Sequence, residues 1–272
     1  MVRINGLAFK DEEFHNGEVI FERVKLLDDK FNIIEMNFKD NRDITAVLFA
    51  RQWLKDKAPS AKCKLIMKYC PYERMDREIN DQLFSMKYFA EILAKFDFDC
   101  IEILDPHSQV CVNELKDKGM NVEILDLESY INKVIEDFKP DYLFYPDKGA
   151  AKKYPEILKN IDIPYFFGAK VRDLENKGRI KDYELIEAPD LKDKKILIID
   201  DICCLGGTAY NGAMLMKEQG AFNVAFYISH CENGVFAGKL LKQEGNRYAV
   251  DKIYTANTML LDSEHDNIVV VD

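Results

Sequence analysis

The chain reads as an α/β protein whose mainly parallel sheets are flanked by helices. Two observations predict this. Short apolar, β-branched runs recur along the whole 272 residues, and amphipathic stretches at helical spacing lie between several of them. Strands that alternate with helices form parallel sheets covered on their faces. Such sheets hold ligands beyond the carboxyl ends of their strands, so the chemistry is sought in the loops that follow strands.

In chain order, the first strand predicted is Phe31–Asn37. A helix follows over Asp43–Lys55, with Ile44, Val47, Leu48, Trp53 and Leu54 on its apolar side. Lys64–Cys70 is the next strand. The helix Phe84–Phe96 turns Phe84, Tyr88, Phe89, Ile92 and Leu93 to one side, and the strand Cys100–Leu104 follows. Around Leu125–Glu128 one β-α series ends and another begins, which divides the chain into domains at 1–127 and 128–272. The second series has strands at Asp141–Tyr145, Lys195–Ile199, Val224–Ser229, Lys252–Ala256 and Asn267–Val271. Between two of these, Arg172–Leu185 is polar, charged and Gly-containing, and reads as an exposed loop or hairpin.

Composition narrows the function. The hydrophobic fraction of 47% and the charged fraction of 32% are those of an ordinary globular protein. The net charge of -10 argues against a general nucleic-acid binder, whose footprint is basic. No apolar run is long enough to span a membrane, and MVRINGLAFKDEEF lacks the apolar core of a secretory signal. Seven Cys without a C-x-x-C pair fit a reduced, cytoplasmic protein with thiols as core filler. No G-x-x-x-x-G-K-[ST] loop is present, so any ATP site is not a P-loop.

The most informative segment is Lys195–Gly220. An apolar strand runs into Asp200 and Asp201, then Ile202, Cys203, Cys204, Leu205, Gly206, Gly207 and Thr208, and then a helix over Ala209–Gln219. Glycines at a loop-to-helix junction let backbone N–H groups approach an anion, and the helix N-terminus adds partial positive charge. Thr208 adds a hydroxyl. Two acids beside such a loop suit ribose hydroxyls, or Mg²⁺ held through them. A tight strand–helix turn with an acidic rim would have the same local sequence.

This segment resembles the phosphoribosyl diphosphate (PRPP) binding motif of type I phosphoribosyltransferases and of ribose-phosphate diphosphokinases (PRPP synthetases). Cys204 and Leu205 stand where that motif usually has an Asp and a Thr. Tyr69-Cys70-Pro71-Tyr72-Glu73-Arg74-Met75-Asp76-Arg77 resembles a PRPP-synthetase signature for ATP, with Met75 in place of Gln. The resemblance implies that Arg74 and Arg77 clamp the triphosphate, as guanidinium forks suit phosphate. Phe14-His15-Asn16-Gly17-Glu18 resembles the loop that reads the adenine of a neighbouring subunit's ATP through Phe14, Asn16 and Glu18. Asp105-Pro106-His107 resembles the motif whose His lies at the ATP phosphates and metal. Pro146-Asp147-Lys148-Gly149-Ala150 resembles the one whose Asp serves metal and sugar. Lys170-Val171-Arg172 resembles the opening of the catalytic loop, and Ser229-His230-Cys231 the end of the next strand.

The likeness covers nearly the whole chain. It implies two tandem type I phosphoribosyltransferase-like domains, an N-terminal one for ATP and a C-terminal one for the ribose phosphate. It implies a homo-oligomer, dimer to hexamer, with ATP as co-substrate and Mg²⁺ held by His107 and Asp147. Lys170 and Arg172 would be catalytic. The acceptor would be ribose 5-phosphate, giving PRPP. Alternatively the apolar Cys204 and Leu205 would suit a phosphate esterified further, as in ADP-ribose. A phosphoribosyltransferase and a non-catalytic regulatory homologue are the competing readings.

Overall fold

In this computed structural model the chain forms two compact units, Met1–Leu125 and Asp126–Asp272. The structure describes every residue except 10, 26, 174–178, 245–246 and 261–264.

Unit 1 starts with β1 (Val2–Ile4) and β2 (Leu7–Ala8), then a small hairpin of β3 (Asp11–Glu13) and β4 (Val19–Phe21). After these come β5 (Phe31–Met36), α1 (Asn41–Lys57), β6 (Lys62–Ile66), α2 (Ser85–Ala94), β7 (Cys100–Ile103), α3 (Gln109–Asp117) and β8 (Val122–Ile124). Its main sheet has the order β2-β1-β5-β6-β7-β8. The four strands from β5 to β8 are parallel, while β1 pairs antiparallel with β5 and β2. Helix α1 begins where the Asp40 side chain accepts the Arg42 N–H at 2.8 Å; it has Asp43 in its first turn and Lys55 and Lys57 in its last. That charge order complements the helix dipole. Ala46, Val47, Ala50 and Leu54 of α1 are buried against the sheet.

Unit 2 contains α4 (Leu127–Phe138), β9 (Tyr142–Tyr145), α5 (Lys148–Ile157), β10 (Tyr165–Asp173), β11 (Arg179–Ile186), β12 (Lys195–Cys203), α6 (Gly207–Glu218) and β13 (Asn223–Cys231). It closes with β14 (Gln243–Glu244), β15 (Arg247–Tyr248), β16 (Lys252–Ala256) and β17 (Ile268–Val271). Its main sheet has the order β11-β10-β9-β12-β13-β16-β17, parallel except for β10–β11. Strands β12 and β13 sit inside it, and Ile196–Ile199 of β12 and Val224–Ile228 of β13 read as apolar runs because both faces are covered. Helix α4 begins at the Asp126 cap and buries Leu127, Ile131, Val134 and Phe138. That i, i+4, i+7, i+11 spacing is one helix face.

Several elements differ from expectation. The strand predicted over Lys64–Cys70 ends at Ile66, although Met67 and Lys68 still hydrogen-bond across to Glu102 and Leu104. The chain turns away at Pro71 and at Tyr72, which has φ +66. The predicted Lys195–Ile199 strand runs on to Cys203, because Ile202 and Cys203 pair with His230 and Cys231 of β13. The segment read as a loop or hairpin is the antiparallel pair β10–β11, with a register shift between Val171 and Arg172; its residues 174–178 lie outside the described structure. No helix among the described residues is long and apolar enough to cross a membrane.

Candidate active site

In unit 1 the loops after β6 and β7 are fastened to each other. Glu73, fully buried, accepts the His107 backbone N–H on Oε2 at 3.3 Å. Ser108 Oγ donates to Asp76 Oδ2 at 2.8 Å. The segment Tyr69–Arg77 is thereby joined to Asp105-Pro106-His107. Asp105 is buried with φ +46, a conformation tolerated by Asp, and it turns the chain so that His107 is exposed. Arg74 and Arg77 are exposed as well. Arg77 Nε lies 3.5 Å from Asp76 Oδ1. Met75 is held by its backbone, donating to Tyr72 O at 2.8 Å and accepting from Met86 N at 3.2 Å. Two exposed guanidinium groups and an imidazole on one pair of strand-end loops can receive a polyphosphate.

The Phe14–Glu18 segment is the tip of the β3–β4 hairpin. The Phe14 N–H donates to Glu18 O at 2.8 Å, and Asn16 Nδ2 donates to Glu18 Oε2 at 2.7 Å. Phe14 is 53% exposed, so its ring faces solvent from this chain.

Unit 2 gathers the remaining candidates at the carboxyl ends of β9 and β12. Asp147 caps α5: its Oδ1 accepts the N–H groups of Gly149 and Ala150 at 2.9 and 3.0 Å. The sequence had marked it as a metal and sugar residue; the cap fixes where its carboxylate sits. Asp200 and Asp201 lie within the β12 ladder rather than after it. The Asp201 N–H donates to Asp200 Oδ1 at 3.0 Å, and the Ile202 N–H to Asp201 Oδ1 at 2.8 Å. Burial, then the neighbouring charges of Asp201 and Asp147, push the Asp200 carboxyl well above the usual carboxylate range. Crowded acids of this kind relax when sugar hydroxyls or a cation come between them.

Beyond the acids, Cys203 is buried while Cys204 and Leu205 are exposed. Gly206 is the left-handed N-cap of α6, with φ +74. A Cβ there would lie 2.1 Å from Leu240 Cδ1, whereas a Cβ on Gly207 would meet nothing within 4 Å. The backbone at Gly207 and Thr208 therefore opens toward solvent at the start of a helix, where N–H groups lack helical partners. Of the seven Cys only Cys204 is exposed.

Lys170 and Arg172 lie on β10, on either side of its register shift; their side chains are outside the described structure. Ser229 and His230 are fully buried at the end of β13, and the Ser229 carbonyl accepts from Thr258 Oγ1 at 2.8 Å. Sequence reasoning missed Tyr183 of β11. It is buried, and its hydroxyl donates to Pro146 O at 2.6 Å beside Asp147. No periodicity marks it, since it lies in a polar stretch.

Among the described residues no three His, Cys, Asp or Glu side chains form a group able to hold a metal ion. His107 belongs to unit 1 and Asp147 to unit 2. Asp147 offers a carboxylate of the kind Mg²⁺ takes, since that ion keeps most of its waters and touches one or two protein carboxylates together with substrate phosphates.

Two mainly parallel sheets with these strand-end loops define a protein of the phosphoribosyltransferase-like class. A phosphoribosylpyrophosphate synthetase structure from Mycobacterium smegmatis has the same fold, with a TM-score of 0.71 at 19% identity over 97% of this chain and 85% of that one. Residues 112–272 match the family described as phosphoribosyl transferase domain. A ribose-phosphate pyrophosphokinase of Saccharolobus solfataricus is 30% identical over 173 residues, 62% of this chain and 57% of that protein. One from Thermococcus kodakarensis is 25% identical over 256 residues, 93% of this chain and 86% of that protein. The chain belongs to the phosphoribosyl transferase domain family, and it is similar to ribose-phosphate pyrophosphokinases along most of its length.

Proposed function

We propose that the chain is a diphosphokinase: it transfers the β,γ-diphosphate of Mg·ATP to the anomeric hydroxyl of ribose 5-phosphate, giving PRPP and AMP. The observation that carries this reading is the joining of the Arg74–Arg77 loop to the His107 loop through Glu73 and Ser108. A phosphoribosyltransferase that consumes PRPP has no use for an ATP-binding element of this kind.

Unit 1 receives the triphosphate through Arg74, Arg77 and His107. In unit 2, the N–H groups at Gly207 and Thr208 and the dipole of α6 hold the sugar phosphate. Asp200 and Asp201 bind the ribose hydroxyls, which orients the anomeric oxygen. Mg²⁺ carried in with ATP would neutralise the phosphate charge, and the residues offered to it would be His107 in unit 1 and Asp147 in unit 2. Lys170 and Arg172 stabilise charge on the transferring group, since catalysis of such transfers is mainly positioning and electrostatics. A homo-oligomer brings the exposed Phe14 loop to a neighbouring chain's adenine.

A second acceptor is favoured by one feature. Leu205 is 54% exposed beside Cys204, where an acid and a hydroxyl are usual. An apolar lip suits a 5-phosphate that is esterified further, as in ADP-ribose. The test is AMP release from ATP with each acceptor in turn. AMP release dependent on ribose 5-phosphate is the expected result. Faster turnover with ADP-ribose would transfer the reading to that acceptor, faster turnover with ribose 5-phosphate would remove it, and no AMP release with either would overturn the diphosphokinase reading.

A further inference from the structure

Lys170, Asp147 and α6 come from three distant parts of the sequence, and one buried side chain touches the backbone that carries each. Tyr183 of β11 lies directly opposite Lys170 in the antiparallel β10–β11 register. Its exposure is 6%. Its hydroxyl donates at 2.6 Å to the carbonyl of Pro146, the residue that leads into Asp147. Its hydroxyl occupies space that only a glycine at 168 leaves open, and its ring passes Gly212 at van der Waals distance. A Cβ on Gly168 of β10 would lie 2.0 Å from the hydroxyl, and one on Gly212 of α6 would lie 3.4 Å from ring Cε1. Phe144 of β9 borders the same space, approaching within 3.0 Å of a Gly168 Cβ and 2.9 Å of a Gly212 Cβ.

We propose that Tyr183 is a positioning residue for the diphosphate transfer: it locks the strand pair carrying Lys170 to the Pro146–Asp147 turn and to α6, the helix that follows the ribose-phosphate loop. This rests on the diphosphokinase reading. The β10–β11 pair is an edge of the sheet, so it has strand neighbours on one side only. Tyr183 supplies an additional fixed point, next to the register shift between Val171 and Arg172. The burial of Tyr183, with Asp147 and Asp200 close by, pushes its phenol above the usual tyrosine range. The hydroxyl therefore stays a hydrogen-bond donor at neutral pH.

The experiment compares Tyr183→Phe with wild type in the full chain, by AMP release from ATP and ribose 5-phosphate. The ring and its packing are kept and only the bond to Pro146 is lost. Expected is a fall in kcat of about tenfold or more, because small misplacements of catalytic groups are costly. The KM for ATP should stay within about twofold, since ground-state binding in the other unit is untouched. Gly168→Ala, whose methyl would evict the phenol, should reproduce that split. Wild-type kcat in Tyr183→Phe overturns the inference. So does a fall in kcat matched by a higher KM for ATP and a lower Tm, which marks a general loosening. If the wild-type chain itself releases no AMP, the diphosphokinase reading fails, and hydrogen exchange decides the inference separately. Tyr183→Phe should then speed exchange at the amides of 147–150 and 165–169, and unchanged protection overturns it.

Discussion

Gly206 and Gly207 are neighbours in sequence, yet their replacement by Ala should have opposite consequences. At Gly206 the backbone has φ +74, and the new Cβ would lie 2.1 Å from Leu240 Cδ1, 2.7 Å from Leu240 Cγ and 3.3 Å from Cys203 Sγ. Leu240 is fully buried in the core of unit 2, so it has little room to withdraw. The left-handed backbone costs about 1 kcal/mol for a residue with a Cβ. Overpacking against a buried Leu costs about 1–3 kcal/mol more. Gly206→Ala should thus destabilise by about 2–4 kcal/mol, which lowers Tm by about 5–15 °C in a domain of this size. At Gly207 the Cβ meets nothing within 4 Å, so stability should change by less than about 0.5 kcal/mol. The same methyl group projects into the opening where the sugar phosphate would approach the backbone. Affinity for ribose 5-phosphate, measured by calorimetry, should fall at least about tenfold, or 1.4 kcal/mol. Thermal and urea unfolding followed by circular dichroism measure the stabilities. The reasoning is refuted if Gly207→Ala destabilises as much as Gly206→Ala, or if it binds ribose 5-phosphate like wild type.

Three further outcomes follow from the same geometry. Asp200 has a folded-state pKa above its unfolded value, so between those values the folded state holds the extra proton and stability falls as pH rises. Asp200→Asn should therefore raise Tm at pH 7–8 and leave it nearly unchanged near pH 3, while weakening acceptor binding; a Tm gain that does not grow with pH contradicts the assigned cause. Ser108→Ala removes the 2.8 Å bond to Asp76, at about 1 kcal/mol. The KM for ATP should rise several-fold with the acceptor KM unchanged, and steady-state kinetics with each substrate varied separates the two. Lys170→Ala should lower AMP release by about 10²-fold or more with the far-UV spectrum preserved, and unchanged turnover would remove Lys170 from the catalytic role.

Burial was the part of the fold most legible in the sequence. Apolar runs such as Ile196–Ile199 and Val224–Ile228 lie in β12 and β13, and the strand predicted at Lys252–Ala256 has the bounds of β16. The amphipathic stretches became α1 and α2. Strands at the sheet margins were not legible. β10 and β11 carry charged residues because an edge pair has an exposed side, so alternation is weak there. The motif order along the chain pointed to the family without any structure, because a fixed order of short motifs is legible from residues adjacent in sequence.

The sequence by itself determined the α/β class, the position of Arg74, Arg77, His107 and Asp147 in loops after strands, and the apolar character of Cys204 and Leu205. Those features depend on local composition and on residues close together along the chain. Only the tertiary structure decided that Asp200 and Asp201 lie within a ladder extended by β13, that Asp147 caps a helix, and that Glu73 and Ser108 fasten two loops together. It also decided that Tyr183 docks between two glycines opposite Lys170. Each of these joins residues far apart in sequence, and register and close packing are set by whichever partner the folded chain brings alongside.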